Sequence, residues 1–368
     1  MHIAIDLRPW CGRHKTGVEK YVSGLLTALF SLDTQNTYSL FVSGKQVDTD
    51  NIPWKNMPNV RIVHMDIVNK ILHTSIVTTG RPYLDTYVTQ KTGELVDIWF
   101  SPNIGFTALS PNVVHITTVH DLSFLLYPEF FTKKQQLWHC IVRPKKQIIR
   151  AQHIVVPSHN TKRDVMFYYG ISEDNIHVLY PGVTYINDVE LLKNLPAQYI
   201  LYVGTYEPRK NIAGLIHAYK ESRAYDLGCY LVIAGAPGWK CRDLKHMIQY
   251  TPGVMSFGYV SAKEKRGLYE NAMACIFPSF YEGFGFPPIE AATYGCPVIT
   301  SNRSSLPEVM GTSAYYVDPY NISDMATGIR RVITDISLRN QLAELGKKQV
   351  EKYQWENMAR GLYKLFTI

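Results

Sequence analysis

Short β-rich runs alternate with helical patterns along this chain, and they do so in two separate series. The first series contains HIAID, YSLFVS, NVRIVHM, VDIWFSP, VVHITTVHD and QHIVVPS. Their composition and spacing are those of βα units, with helical patterns between them at 18–32, 133–150 and 161–169. Strands this continuously apolar are covered on both faces, the pattern of a parallel sheet between helices. The second series opens at YILYVGTY and continues through CYLVIAGAPG, VMSFGYV, ACIFPSF and CPVIT. Between the two lies GVTYINDVELLKNLPAQ, which lacks strand alternation. The expected fold class is therefore α/β, with two doubly wound, Rossmann-like domains facing a central cleft. The expected boundaries are 1–182 for the first domain, 183–198 for a linker and 199–354 for the second. The last helix, 355–368, has an apolar face and is expected to pack back on the first domain. In such sheets ligands bind beyond the carboxyl ends of the strands.

A chain of 368 residues suits two domains of ordinary size. Its hydrophobic fraction of 46% and charged fraction of 19% are those of a soluble globular protein. No apolar run is long enough to span a membrane. The N-terminus enters a strand directly, without the basic and apolar regions of a signal peptide. The six cysteines are scattered and make no metal-binding spacing, so the expectation is a reduced cytoplasmic protein with buried thiols. In that compartment the sequons at Asn302 and Asn321 carry no meaning.

The net charge of +7 is unevenly placed. Between Glu129 and Asp164 there is no acid, while Lys133, Lys134, Arg143, Lys145, Lys146, Arg150, Lys162 and Arg163 fall there. Two readings stay open: a solvated helix face, or a patch for anionic lipid headgroups or an anionic acceptor, giving peripheral membrane association through 133–163. Nucleic acid is not an expected partner, because no recognised binding module is present.

Four stretches carry candidate chemistry. In VGTYEPRKN a strand ends, and Arg209 and Lys210 stand at the entrance of a helix. The helix dipole disfavours cations there, so two of them point to a bound diphosphate. In SFYEGFGFPPIEA, Glu282 and Glu290 stand eight positions apart. Gly283 and Gly285 let backbone N–H groups reach a ligand, and the prolines suit a first helical turn. Glu290 near a helix start is also explained by the macrodipole alone. In TTVHDLSF, His120 ends an apolar strand and could donate to or accept from a substrate hydroxyl, although a His-Asp pair taken alone is more often local capping than catalysis, with Asp121 as the helix cap. In HKTGVEKYVSGLL, Gly17 precedes an amphipathic helix, where a phosphate or sugar contact would lie.

Two other features count against competing chemistries. No GxGxxG fingerprint occurs, which argues against a dinucleotide-dependent dehydrogenase. Asp48 and Asp50 form a DxD, but within a polar segment rather than at a strand end, so they read as a solvated loop and no metal is expected.

Taken in order, these motifs resemble the retaining glycosyltransferases of the GT-B fold, in the large family four, over essentially the whole chain. The most specific element is the Glu282-x7-Glu290 segment, followed by GTYEPRKN, FGYVSAKEK and GCPVITSNRSSLPEV. In the first half, GVEKYV and HDLSFLLYPEFF resemble mannosyltransferases that build bacterial O-antigen and related polysaccharides. The resemblance implies a nucleotide-sugar donor, with GDP-mannose the preferred one, bound mainly by the second domain, and a glycan or polyprenyl-linked glycan acceptor bound by the first. It implies no cofactor and no metal. Arg209 and Lys210 match the pair that grips the diphosphate, Glu282 the carboxylate near the donor sugar, and Glu290 the carboxylate that takes the ribose hydroxyls. Thr205 belongs to the same donor site. The N–H groups of Phe284, Gly285 and Phe286 would contact sugar and phosphate, and Tyr259 and Val260 fall where the family holds the base. His120 matches a first-domain histidine that contacts the donor sugar, and Gly17 the loop near its phosphate. The family mechanism is front-face attack, with the donor phosphate accepting the proton. The chain departs from the common pattern in HKTGVEKYV, where many members carry two adjacent glycines, and in SSLPE, which stands for GGLPE, so Ser304 and Ser305 are left out of the expected site. Competing expectations are a UDP-hexose or UDP-HexNAc donor, a sugar-nucleotide epimerase of the same fold, and a non-catalytic binding protein.

Overall fold

The computed structural model describes residues 1–11 and 17–367. One sheet contains β1 (His2–Asp6), β2 (Thr37–Ser43), β3 (Val60–Met65), β4 (Ile98–Ser101), β5 (Val114–Thr118), β6 (His153–Val156) and β7 (Ile176–Val178). Their spatial order is β3-β2-β1-β4-β5-β6-β7, and every neighbouring pair is parallel. A second sheet contains β8 (Tyr199–Val203), β9 (Tyr230–Ala234), β10 (Val254–Gly258), β11 (Ala274–Phe277), β12 (Val298–Ser301) and β13 (Ala314–Val317). Its order is β10-β9-β8-β11-β12-β13, again all parallel. Both are doubly wound Rossmann-type orders, in which the winding reverses beside the first strand. The expected α/β class with two Rossmann-like sheets is what the chain forms.

The reason lies in the strands. Every residue of β1, β4, β8, β11 and β12 is buried, so helices must cover both faces. Two strands escaped the sequence reading. β7 has only three residues, and β13 reads AYYV with partly exposed tyrosines, so neither shows a long apolar run.

The chain divides into two compact units. Unit 1 holds Met1–Leu122, Lys133–Gly182 and the segment from Gln354 onward; unit 2 holds Ser123–Thr132 and Val183–Tyr353. The sequence reading grouped 123–132 with the first domain, whereas here these residues pack within unit 2. Trp239 Nε1 donates to Phe130 O at 2.7 Å, Lys240 Nζ donates to Glu129 O at 2.5 Å, and the Phe130 and Phe280 rings stack 5.5 Å apart. Aromatic side chains distributed over 127–131 are what hold the strap; periodicity carried no sign of their partners.

In unit 1 the terminal helix Trp355–Phe366 lies against helix Gly17–Leu32. Gly24 makes that approach possible, since a Cβ there would meet the Trp355 ring at 2.1 Å. The basic stretch forms two helices, Lys133–Val142 and Pro144–Arg150, rather than one. Arg143 between them adopts a left-handed φ of 52°, because the following proline bars it from the helical region. The expectation of buried thiols holds for Cys229, Cys275 and Cys296, but Cys140 is exposed on the first of these helices. No described helix is long and apolar enough to cross a membrane.

Candidate functional site

The winding of unit 2 reverses between β8 and β11, which pair directly, so the crevice at their carboxyl ends is where a ligand is expected. The loop after β8 runs to a 3-10 turn, Pro208–Lys210, and then through Asn211 into helix Ile212–Ser222. Asn211 takes a left-handed φ of 57° and anchors the turn by donating from Nδ2 to Pro319 O at 2.7 Å. The loop after β11 is fastened to it: Phe280 N donates to Arg209 O at 2.9 Å, and Arg209 Nη1 donates to Tyr281 O at 2.7 Å.

Four charges converge where these loops meet. Arg209 binds Glu207 through Nη2 and Glu282 through Nη1, each at 2.8 Å, and Lys210 Nζ binds the other Glu282 oxygen at 2.6 Å. Lys210 also stands 4.9 Å from the centre of the Phe277 ring. Glu282 is buried. Burial alone would raise its pKa, but Arg209 and Lys210 outweigh that and hold the carboxyl below its ordinary value. Glu282 is thus a fixed anion, unsuited to act as a general acid at neutral pH, and it orients both cations.

The backbone that follows is pinned from the loop after β12. Ser304 Oγ accepts from Glu282 N at 2.9 Å, and Ser305 Oγ donates to Glu282 O at 2.9 Å and to Phe284 O at 3.1 Å. The Phe284 side chain is buried between Phe286 and Tyr353, with ring centres 5.3 Å away in both cases. Gly285 then turns the chain into helix Phe286–Thr293 at a φ of 96°, where a Cβ would also lie 2.6 Å from Leu306 Cδ2. Only glycine fits there.

Glu290, buried one turn into that helix, belongs to a separate group. Its Oε2 lies 2.7 Å from Lys265 Nζ and accepts from Tyr269 Oη at 3.4 Å. A macrodipole partner is therefore not all that it has. Lys265 sits on helix Ala262–Asn271, whose start is fixed by a full capping box between Ser261 and Glu264. Just before it, Tyr259 is 66% exposed and Val260 is partly exposed. Thr205 is exposed on the loop after β8. Here Gly235 N donates to Gly258 O and Tyr206 N to Ala236 O, knitting the loops after β8, β9 and β10 into one edge.

Of the expected residues, Arg209, Lys210 and Glu282 are in direct contact, and Thr205, Tyr259, Val260, Phe284, Gly285, Phe286 and Glu290 belong to the same unit. His120 and Gly17 belong to unit 1. Gly17 is the exposed first residue of its helix, and the loop before it lies outside the described residues. His120 Nε2 lies 2.9 Å from Pro102 O, and its ring meets Tyr21 edge-on at 4.6 Å. Burial lowers its pKa, opposed by the Pro102 hydrogen bond and by Asp121. A carbonyl only accepts, so the neutral ring keeps its proton on Nε2 and offers the Nδ1 lone pair. Of the two alternatives left open for His120, accepting from a hydroxyl is the one this tautomer permits.

The sequence reading did not assign Glu207, Lys265, Tyr269, Ser304 or Ser305. The capping box was a readable signal for the helix that presents Lys265; nothing local marked Glu207 or Tyr269, which matter through contacts distant in sequence. Among the described residues, no group of three or more His, Cys, Asp or Glu is placed to hold a metal ion. The DxD lies in the loop after β2, where Asp50 pairs with Lys55 at 3.0 Å and is 93% exposed.

The sequence profile of glycosyl transferases group 1 matches residues 186–349, and that of glycosyltransferase family 4 matches 17–185. An O-antigen chain mannosyltransferase B of Escherichia coli is 31% identical over 259 residues, covering 66% of this chain and 67% of its own. A serotype-specific mannosyltransferase WbdA of Escherichia coli is 22% identical over all of this chain, which spans only 48% of that relative's length. Among solved structures, a sucrose-phosphate synthase from Thermosynechococcus elongatus superposes with a TM-score of 0.76 at 21% identity, covering 100% of this chain and 98% of that one. That likeness concerns the fold, which is GT-B. With its paired-sheet fold and both halves matched, the chain belongs to the group 1, family 4 glycosyltransferases.

Proposed function

We propose that this glycosyltransferase is a retaining, metal-independent mannosyltransferase that moves mannose from GDP-mannose to a glycan or polyprenyl-linked glycan in polysaccharide assembly. The observation that carries the reading is the Glu207–Arg209–Glu282–Lys210 cluster at the switch point of unit 2. Two preplaced cations suit the charge that develops on a departing diphosphate, a contribution commonly worth a few kcal/mol per donor. Mannose is supported by the names of the relatives, and absence of metal by the cations that take the place of one. In the step itself the bond from the anomeric carbon to phosphate oxygen breaks. The acceptor oxygen bonds that carbon on the same face, and its proton passes to the departing phosphate. Glu282 stays ionised throughout, and His120 Nδ1 accepts from a sugar hydroxyl. Glu290 takes the ribose hydroxyls, with Lys265 as its counterion. Thr205, Tyr259, Val260, Gly17 and the Phe284–Gly285–Phe286 backbone complete the donor contacts.

A panel of GDP- and UDP-sugars, incubated with protein and a chelator, tests this. Slow hydrolysis of GDP-mannose that disappears in Lys210→Ala is expected, and NMR of the transfer product should show retained configuration. Turnover of a UDP-hexose or UDP-HexNAc instead would replace the donor. Interconversion of two sugars without an acceptor, or no turnover of any donor, would overturn the reading.

Peripheral attachment to an anionic membrane is part of the same proposal. Leu137, Ile141 and Ile149 are exposed on the two helices that carry Lys133, Lys134, Lys145 and Lys146, and each cation near such a surface adds roughly 1 kcal/mol. Charge reversal at Lys145 and Lys146 should weaken binding to vesicles containing anionic lipid. Unchanged binding would remove the membrane from the scheme.

A further inference from the structure

The strap Ser123–Thr132 packs within unit 2, although the chain on both sides of it belongs to unit 1. At its centre Pro128–Phe130 forms a 3-10 turn, in which Phe130 N donates to Tyr127 O at 3.0 Å. Side chains three positions apart eclipse in such a turn. The Tyr127 and Phe130 rings accordingly stack, 5.3 Å apart and within 5° of parallel. This pair of rings meets the loop after β11. Phe130 stacks on Phe280 at 5.5 Å, and Tyr127 tilts against the buried Tyr281 at 5.7 Å. Tyr320, beyond β13, tilts against Phe280 from another direction at 4.7 Å. From the loop after β9, Trp239 stacks on Phe131 at 6.1 Å, beside its hydrogen bond to Phe130 O.

Phe280 and Tyr281 in turn hold Arg209 through their backbone: Phe280 N donates to Arg209 O, and Tyr281 O accepts from Arg209 Nη1. The strap thus grips by their side chains the residues that grip Arg209 by their main chain. A guanidinium is a planar fork, so its direction as well as its charge decides whether it meets phosphate oxygens. A shift of 280–281 would turn that fork and leave the charges of Glu207, Glu282 and Lys210 in place. The core cluster that includes Ile200, Tyr202, Leu215 and Ile233 contains none of Tyr127, Phe130, Phe280 and Tyr281. The strap therefore bears on the cation rather than on the packing of the sheet.

We propose that Tyr127 and Phe130 are positioning residues, which act through Phe280 and Tyr281 to aim the Arg209 guanidinium at the terminal phosphate of the departing nucleoside diphosphate. This rests on the reading of Arg209 as a diphosphate ligand. It adds that a segment supplied from the first half of the chain sets how well that cation performs.

Calorimetric titration of the full-length protein with GDP, GMP, UDP and UMP tests the role, because only the diphosphates carry a terminal phosphate for Arg209. Tyr127→Leu and Phe130→Leu should weaken diphosphate binding several-fold and monophosphate binding little, with melting temperatures close to that of the parent. Tyr127→Phe, which keeps the ring, should stay close to the parent for both ligands. Arg209→Gln should also weaken the diphosphate selectively, and in that background the two leucine variants should add nothing. A merely structural role would lower both affinities and the melting temperature together. Parent-like diphosphate affinity in both leucine variants, equal losses for mono- and diphosphate, or an undiminished loss in the Arg209→Gln background would overturn the proposal. Parent-like diphosphate affinity in Arg209→Gln itself, or binding of no nucleotide, would instead overturn the reading of Arg209, and the positioning role with it.

Discussion

The ammonium of Lys210 lies 2.6 Å from Oε1 of Glu282, a residue 72 positions away in sequence. The contact joins the loop after β8 to the loop after β11, and with Glu207 and Arg209 it makes a cluster of two cations and two anions. In the proposed scheme a diphosphate meets cations that already have counterions and are already aimed. An ammonium has three donors, and one N–H directed at Glu282 leaves the others for incoming oxygens. Orienting the cations before the ligand arrives lowers the reorganisation needed when phosphate charge develops.

If Glu282 is the counterion that holds the loops, Glu282→Gln should destabilise the free protein strongly. Removing one charge from a buried pair typically costs about 3–5 kcal/mol. A nucleoside diphosphate should restore part of this, because its phosphates replace the lost anion. Thermal melts of parent and variant, with and without GDP or UDP, check the point. A variant as stable as its parent, or one that gains no more from nucleotide than the parent does, would deny Glu282 this role.

Acid should weaken the fold in two stages. His115, buried beside Ser101 Oγ at 3.0 Å, has its pKa pushed down from 6.5 to about 4 by burial and by Arg150. The unfolded chain takes up that proton first, so stability is full above pH 6.5 and falls as pH drops towards 4, by about 3 kcal/mol. The lowered pKa of Glu282 acts next. Its contribution is present above the ordinary value of 4.5 and is lost as pH falls through the folded-state value. Urea unfolding from pH 8 to pH 3 should show both stages, the second reduced in Glu282→Gln, where Asp33, despite burial also held below its ordinary value by hydrogen bonds from Tyr38 and Asn36, still titrates. A profile flat down to pH 4.5 would contradict the first stage.

Much of this architecture is legible because it rests on local pattern. β8 and β11 are uninterrupted apolar runs, and Arg209, Lys210, Glu282 and Glu290 fall at strand ends and helix starts, where position alone suggests a role. What pairs with what is not local. Nothing near Glu290 announces Lys265, and nothing near Phe130 announces Trp239, because each contact depends on how the loops return. The break at Arg143 was readable in principle, since Pro144 forbids a continuous helix, but the run of basic residues masked it.

Glu290 should act on donor binding far more than on the chemical step. It is buried against Lys265 and Tyr269, and in the proposed scheme it holds ribose. Glu290→Gln keeps the shape but loses the charge-assisted bonds, worth about 1.5–3 kcal/mol. The donor KM should rise by roughly tenfold or more, with a smaller change in kcat. Lys265→Met should raise KM as well, by leaving the carboxylate without its counterion. Steady-state kinetics against donor concentration decide it; an equal fall in kcat at unchanged KM would place Glu290 at the chemistry instead.

Ser304 and Ser305 stand where the family often has two glycines, and their geometry separates what each hydroxyl contributes. Ser304 has a φ of 53°, in the region where glycine is unstrained, and in exchange accepts from Glu282 N at 2.9 Å. In Ser304→Gly, relief of a strain of order 1 kcal/mol offsets a lost hydrogen bond of about 1 kcal/mol, so stability should change little. Ser305 is fully buried in ordinary helical geometry, and its hydroxyl proton is shared between Glu282 O and Phe284 O. Ser305→Ala has no strain to relieve, so it should cost about 1–2 kcal/mol. It should also loosen the backbone of 282–286, raising donor KM several-fold. Denaturation midpoints and donor kinetics for the two variants should therefore diverge. Equal effects on both would show that the loop after β12 does not position the Glu282 segment.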